Sequence, residues 1–162
     1  KWRCSASTDA ECNRCDVPEV PQAALDDAGV DTIVLLKEAQ RVNPNVVITV
    51  ENPATGYLKC FRPWQDAVQA LGLTPIEVTY CKFGAEHRKA KTIWTNCKGM
   101  IRDAAGGRYV CSEKSPCRHY RSHSRLEHAE ASDASEYPGP FCAWMGTHIN
   151  AEAEELGARR ED

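Results

Sequence analysis

The sequence predicts an α/β fold, since helix-like and strand-like segments alternate between residues 22 and 95. Residues 46–50 form a β-branched run that is too short for a stable helix and apolar on both faces, as is typical of a buried parallel strand. A helical pattern begins at Gln22 and ends at Pro44, directly before this run. The order of a helix and then a strand indicates one half of a β-α-β crossover.

Further elements follow in the same alternation. Residues 63–72 have apolar side chains at helical spacing and end in glycine, and residues 74–81 then alternate as a half-buried strand does. A third strand is predicted at residues 90–95. The stretch 97–142 is loop-like, and a last helix with one apolar face is predicted after Pro138.

Length and composition limit the classes of protein. The 162 residues suit one domain of ordinary size, and a net charge of −3 gives no overall basic footprint for nucleic acid. No apolar stretch approaches the roughly 18 residues that a membrane span needs, so we expect a soluble protein with no membrane partner. The chain begins at Lys1 without an initiator methionine or a signal-like apolar region, which favours a fragment or an excised segment.

The chain contains nine cysteines, which is many for its length. Their number is odd and no secretory signal is visible, and both observations favour metal ligation over a disulfide framework. Cys81 lies inside an apolar strand and Cys60 beside a turn. We therefore interpret these two as small buried hydrophobic side chains.

Residues 1–21 are polar and rich in turn formers, so something other than core packing must stabilise their fold. Cys4 and Cys15 are the candidate residues for this role. The segment resembles the C-terminal half of a CW-type zinc finger, with matching residues at Trp2, Cys4, Asp9, Asn13, Cys15, Pro18 and Glu19. The resemblance implies that Cys4 and Cys15 are two of four zinc ligands. It also implies a methylated histone H3 tail as partner, with the aromatic pocket upstream of Lys1. The alternative is a cysteine-containing tail without a zinc site.

Glu51, Asn52 and Pro53 follow the run at 46–50, and in open α/β sheets ligands bind outside the carboxyl ends of strands. Downstream come a Tyr-Cys pair at 80–81, a basic segment at 87–91 and Ile-Trp-Thr-Asn at 93–96. This order resembles the C-terminal part of the catalytic fold of cytosine-5 DNA methyltransferases, over roughly residues 25–157. The resemblance implies a partial Rossmann-like methyltransferase sheet in which Glu51 and Asn52 lie against an extruded cytosine, with Glu51 hydrogen-bonding the base edge.

The basic segment has His87, Lys89 and Lys91 at alternate positions. Alternate residues of an extended segment face one side, where they can contact successive phosphates or a carboxylate beside the base. The resemblance implies that these three residues face DNA. The alternative interpretation is an ordinary solvated basic edge strand.

Two motifs of the resembled family are missing from residues 1–45: the glycine-rich turn that binds S-adenosylmethionine and the Pro-Cys loop that supplies the nucleophile. Without a thiolate that adds to the base there is no covalent activation. We therefore expect the isolated chain to be inactive, and to use S-adenosylmethionine only if a missing half is supplied.

A second zinc site is predicted within residues 97–128, where cysteines and histidines cluster without apolar periodicity. We take Cys111 and Cys117 as its first two ligands, with Cys97 and one histidine completing four. The histidine chosen is His119, from a set that also contains His123 and His128. The alternative is a surface loop with free thiols.

These observations predict a partial zinc finger at residues 1–21, a methyltransferase-like α/β region at 22–157 and a short tail at 158–162. The leading function is that of a truncated or degenerate DNA cytosine-5 methyltransferase-like protein, located in the nucleus, that binds zinc and DNA. The competing function is a non-enzymatic, zinc-dependent module that binds histone tails on chromatin. A truncated gene product without independent function is the third interpretation.

Overall fold

The computed structural model describes residues 22–123 and 136–158. The predicted zinc-finger segment, with Cys4 and Cys15, therefore lies outside the described residues, as does His128. The described part is a mixed α/β structure in which four α-helices surround a three-stranded sheet. The helices are α1 (Gln22–Val42), α2 (Arg62–Ala70), α3 (Lys98–Asp103) and α4 (Gly139–Ala158), and the strands are β1 (Thr49–Pro53), β2 (Thr74–Thr79) and β3 (Ala90–Thr95).

Several predicted elements are confirmed, because local sequence signals set their ends. Helix α1 ends at Val42, just before the proline at 44. Helix α2 carries Pro63 in its first turn, and Gly72 follows its end with a positive φ of 65°. The third strand has the predicted bounds. The loop prediction for residues 97–142 is wrong in part, because α3 lies within that stretch.

The predicted parallel pairing is wrong. The strand order is β1-β3-β2, and both neighbouring pairs are antiparallel. Strands β1 and β2 do run in the same direction, with α2 between them in the chain, but β3 lies between them in the sheet. Only a short connection separates β2 from β3, which suits antiparallel neighbours and not a parallel crossover.

The first strand also begins later than predicted, at Thr49. The Asn96 side chain binds the backbone just before it: its Oδ1 accepts from Ile48 N at 2.7 Å and its Nδ2 donates to Val46 O at 2.9 Å. A side-chain amide thus replaces the regular strand ladder at residues 46–48. Glu51 and Asn52 consequently lie within β1 and not beyond its end.

The sheet has a hydrophobic cluster on each face, because successive side chains of a strand point to opposite sides. Ile93 belongs to the cluster with β2, α3 and α4, and Trp94 to the cluster with α1 and α2. Phe141 of α4 is fully buried in the first cluster, so the predicted last helix packs its apolar face on the sheet. No helix among the described residues is both long enough and apolar enough to cross a membrane.

Candidate metal centre

Four side chains that bind soft metals meet beside the end of β2. The ligand atoms of Cys81, Cys111, Cys117 and His123 all lie within 4.8 Å of one another. His123 Nε2 is 3.1 Å from Cys117 Sγ and 3.8 Å from Cys111 Sγ. Cys81 and Cys111 are buried and the other two are half-buried, so the group lies at the base of a loop that solvent reaches from one side.

Two separate segments supply these ligands. Cys81 lies in a 3₁₀ turn at Tyr80–Phe83 that directly follows β2 and ends at Gly84, whose φ of 95° suits glycine. The other three ligands come from residues 111–123 in the spacing Cys-x5-Cys-x5-His. The centre therefore joins the end of a core strand to a loop with little regular structure of its own.

Hydrogen bonds orient the ligands before any metal binds. The buried hydroxyl of Thr79 accepts from Cys111 N at 2.9 Å and from Cys81 Sγ at 3.5 Å, and it donates to Tyr109 O at 3.2 Å. The backbone N–H of His119 donates to Cys117 Sγ at 3.3 Å. Such contacts around a site fix the ligand geometry and affect metal affinity.

The thiols differ in acidity. Burial raises the pKa of the Cys81 thiol to about 12. Burial also acts to raise the pKa of Cys111, but hydrogen bonds with Cys117 and Cys81 and the charge of Arg88 outweigh it, so its pKa lies below the usual value. Cysteine binds a metal as the thiolate. Metal binding must therefore displace the proton of each cysteine ligand that is still protonated.

This ligand set fits zinc. Three cysteine sulfurs and one histidine nitrogen form one of the usual tetrahedral sets for structural zinc. Four protein ligands would leave no open position for water or substrate, so a zinc ion held here would stabilise the fold and would not activate a nucleophile. The described cysteines, which are Cys60, Cys81, Cys97, Cys111, Cys117 and Cys142, are all free thiols.

The ligand prediction and the structure agree at two positions, Cys111 and Cys117. Cys97 is fully buried in the core instead, with its Sγ 3.5 Å from the carbonyl oxygen of His148. His119 Nε2 accepts a hydrogen bond from Arg118 Nε at 2.7 Å, so its lone pair is already engaged. The structure therefore brings neither Cys97 nor His119 into the group.

Two ligands were not selected from the sequence, Cys81 and His123. Cys81 is buried as predicted, but its sulfur faces the other ligands; Cys60 is exposed, so its prediction as a buried residue is wrong. The signal for His123 was the equal spacing of the cysteines and the histidine at 111, 117 and 123. Cys81 gave no comparable local signal, since only the tertiary fold brings it to the loop.

Glu51, which the resemblance places beside the extruded cytosine, forms an ion pair with Lys91, one of the three residues predicted to face DNA. Glu51 Oε1 lies 2.5 Å from Lys91 Nζ, and its Oε2 accepts a hydrogen bond from Tyr137 Oη at 2.8 Å. Lys91 also lies over the ring of Tyr80, 5.3 Å from its centroid. Burial raises the pKa of Tyr80 strongly, and the charge of Glu51 adds to this effect.

The other predicted residues take different positions. Asn52 follows Glu51 in β1, so its side chain leaves the opposite face of the sheet. Its buried Oδ1 has no hydrogen-bond partner among the described residues. His87 and Lys89 are half-buried in the connection before β3, with Lys89 N donating to His87 O at 3.1 Å. Lys91 lies in β3, the central strand of the sheet, and is buried against the carboxylate of Glu51, so this residue is not part of a solvated edge strand.

Comparison with protein-family models, curated proteins and solved structures found no match for this chain.

Proposed function

We propose that this chain is the zinc-stabilised, base-recognising part of a DNA cytosine-5 methyltransferase-like protein. In this proposal Cys81, Cys111, Cys117 and His123 hold a structural zinc ion, and Glu51 contacts the edge of an extruded cytosine. The observation that carries the proposal is the ion pair between Glu51 and Lys91. The resemblance pairs an acid at the end of one strand with a basic element on a later strand, and this contact joins those two positions.

The chemistry of Glu51 suits a cytosine edge. Cytosine presents an exocyclic amino group that donates hydrogen bonds, whereas thymine presents an acceptor at the same position. A carboxylate accepts from the first and repels the second. Lys91 and Tyr137 approach different oxygens of Glu51, which fixes the carboxylate. Because Oε1 is buried against Lys91, a base edge would have to reach Oε2, whose lone pairs Tyr137 does not fully occupy.

Asn52 takes a supporting role in this proposal, because its side chain leaves β1 on the other face. Its Oδ1 lies against the turn at Gly56, where an added Cβ would be only 2.1 Å away. Gly56 N also donates to Pro53 O at 2.7 Å. The amide and the glycine together support the turn that follows Glu51.

The described residues do not fit an S-adenosylmethionine site. Binding of its methionyl and ribose groups needs a glycine-rich turn between a strand and a helix, and no such turn occurs in the described residues. The connection from β1 to α2 contains the single glycine Gly56, Gly72 and Gly106–Gly107 follow helices, and Gly84 ends a 3₁₀ turn. We therefore assign base recognition to this chain and no step of methyl transfer. Binding of histone tails depends on residues 1–21 and a nuclear location on the complete protein, and both remain predictions.

A binding experiment with a duplex that carries one unpaired base tests the proposal. The target position opposite an abasic site is cytosine in one duplex and thymine in the other, since an unpaired base costs little to extrude. We expect the zinc-loaded chain to bind the cytosine duplex roughly tenfold more tightly, as one good polar contact to a base edge provides. Glu51→Gln should remove this preference, whereas Glu77→Gln, at an exposed position of β2, should keep it. Equal affinity of the unmodified chain for the two duplexes would overturn the proposal.

A further inference from the structure

The metal centre brings together two basic segments of the described chain. Residues 82–89 and 111–123 contain six Lys and Arg but only two acidic residues, which gives them a net charge of +4. The whole chain has a net charge of −3, so the remainder carries −7. This strong asymmetry is invisible in the overall composition.

Direct contacts hold the two segments against each other. Lys82 Nζ donates to Ser115 Oγ at 3.0 Å, and Arg118 donates from its guanidinium to Gly84 O at 3.0 Å. Arg88 likewise donates to the carbonyl oxygen of Cys111 at 3.0 Å. A cavity of about 310 Å³ lies between the segments, lined by Cys81, Lys82, Gly84, Pro116, Cys117 and Arg118.

The positive charges of this surface are not neutralised by these contacts. The acceptors for Lys82, Arg88 and Arg118 are carbonyl or hydroxyl oxygens and a histidine nitrogen, none of which carries a negative charge. Lys114 and Arg121, like Arg88 and Arg118, are exposed. The result is a cluster of cations on two loops that are joined by hydrogen bonds.

We propose that this basic surface, formed by residues 82–89 and 111–123, binds the phosphate backbone of duplex DNA, and that zinc binding assembles it. The inference rests on the proposed function, since it names how the same chain would hold the DNA around the target base. Arg, Lys, Ser and Tyr side chains are the usual phosphate-binding groups, and all four types occur in these segments. Segments that bind membrane surfaces add exposed apolar anchors, and here Tyr120 is the one exposed large hydrophobic side chain.

Salt-dependent binding of the zinc-loaded chain to a fully paired duplex tests the inference. Lys114→Gln with Arg121→Gln removes two exposed cations that make no described hydrogen bond through their side chains. We expect this variant to bind the duplex more weakly. The slope of log affinity against log salt concentration should be smaller by about 2, roughly 1 for each cation removed. The matched control is Lys37→Gln with Arg62→Gln, which removes the same charge from helices on the other face of the sheet and should leave the slope unchanged.

Metal removal provides a second, independent measurement. If zinc assembles the surface, stripping the metal with a chelator should lower duplex affinity at least tenfold, and added zinc should restore it. Equal affinity with and without metal would overturn the inference, as would equal effects of the two charge variants. Binding to vesicles that contain phosphatidylserine with the same affinity and the same dependence on Lys114 and Arg121 would also overturn it.

The two proposals fail in different ways. If the duplex binds through this surface but the chain does not distinguish unpaired cytosine from thymine, only the base-recognition proposal is wrong. If that preference is present but the loop cations do not matter, only the present inference is wrong.

Discussion

Lys91 and Glu51 form an ion pair across the neighbouring strands β3 and β1, with Nζ 2.5 Å from Oε1. Both side chains are largely buried, with only 8% and 14% of their surfaces exposed. Water therefore solvates the pair poorly, and each charge depends on the other for compensation. Tyr80 and Tyr137 complete the surroundings, by a ring contact to the ammonium and a hydrogen bond to the carboxylate.

Removal of one partner should destabilise the fold more than removal of both. Lys91→Met leaves a buried carboxylate and Glu51→Gln leaves a buried ammonium, so each should lower the free energy of unfolding by about 3 kcal/mol. The double variant should recover most of this loss. Urea denaturation of the four proteins measures the coupling, and strictly additive effects would contradict a direct interaction.

We expect that only glycine fits at position 56, because the side-chain amide of Asn52 lies directly against it. An added Cβ would lie 2.1 Å from Asn52 Oδ1 and 2.9 Å from Pro53 O, and the latter is a backbone atom that cannot rotate away. Gly56→Ala should therefore cost about 2 kcal/mol, as measured by thermal or urea unfolding.

A helical glycine supplies the control for this substitution. Nothing lies within 4 Å of a Cβ added at Gly146 in α4, so Gly146→Ala should stabilise the chain by up to about 1 kcal/mol through helix propensity. Equal effects of the two substitutions would show that the contact with Asn52 does not determine the cost.

Thr79 should support the metal centre without binding the metal. Thr79→Val keeps the shape of the side chain but removes the acceptor for the backbone N–H of Cys111, which is buried. We expect a loss of about 1–3 kcal/mol in stability and a 10- to 100-fold loss in zinc affinity, measured by competition with a chromophoric chelator. Thr92→Val is the matched control, because the buried Thr92 hydroxyl has no partner among the described residues. Similar zinc affinities for the two variants would contradict the role of Thr79.

Asp103 should make the fold sensitive to acid. Hydrogen bonds from Trp144, Tyr109 and His148 and the charge of Arg108 lower its pKa from 3.8 to about 2. A lowered pKa in the folded state contributes stability above pH 4 that is lost as the pH falls from about 4 to 2.

The test compares two aspartate variants over that range of pH. Asp103→Asn should lower stability at pH 7 and flatten the decline between pH 4 and pH 2. Asp31→Asn, at an exposed position of α1, should change neither quantity. Urea denaturation at a series of pH values checks both, and a decline as steep in Asp103→Asn as in the unmodified chain would contradict the assignment.

Local signals in the sequence located most elements of the described fold. Proline at 44 and glycine at 72 act within a few residues, so the ends of α1 and α2 and the start of β2 could be predicted. The alternation predicted β2 to continue to residue 81, but the strand ends at Thr79 and a 3₁₀ turn follows. The strand pairing could not be predicted, because β-branched side chains indicate that a strand is buried but not whether its neighbour runs parallel or antiparallel to it. Asn96 shows the same limit, since its side chain binds residues 46 and 48, almost fifty positions earlier.

The candidate metal centre was predictable only in part, for a similar reason. Cys111 and Cys117 were recognisable because they lie in a loop that has no apolar periodicity to explain them. Cys81 adjoins a hydrophobic strand. A buried cysteine at such a position has the same neighbours in the sequence whether it packs in the core or binds a metal ion. Cys97 shows the opposite case, a cysteine in a cysteine-rich stretch that belongs to the core.

The zinc content of the purified chain, determined by mass spectrometry of the metal, tests the metal centre most directly. Cys111→Ser and Cys97→Ser each change one fully buried cysteine, but only Cys111 lies in the ligand group. We predict that Cys111→Ser contains one zinc ion fewer per chain than the unmodified protein, and that Cys97→Ser contains as much as the unmodified protein. Equal zinc contents in the two variants would contradict a metal centre at Cys81, Cys111, Cys117 and His123.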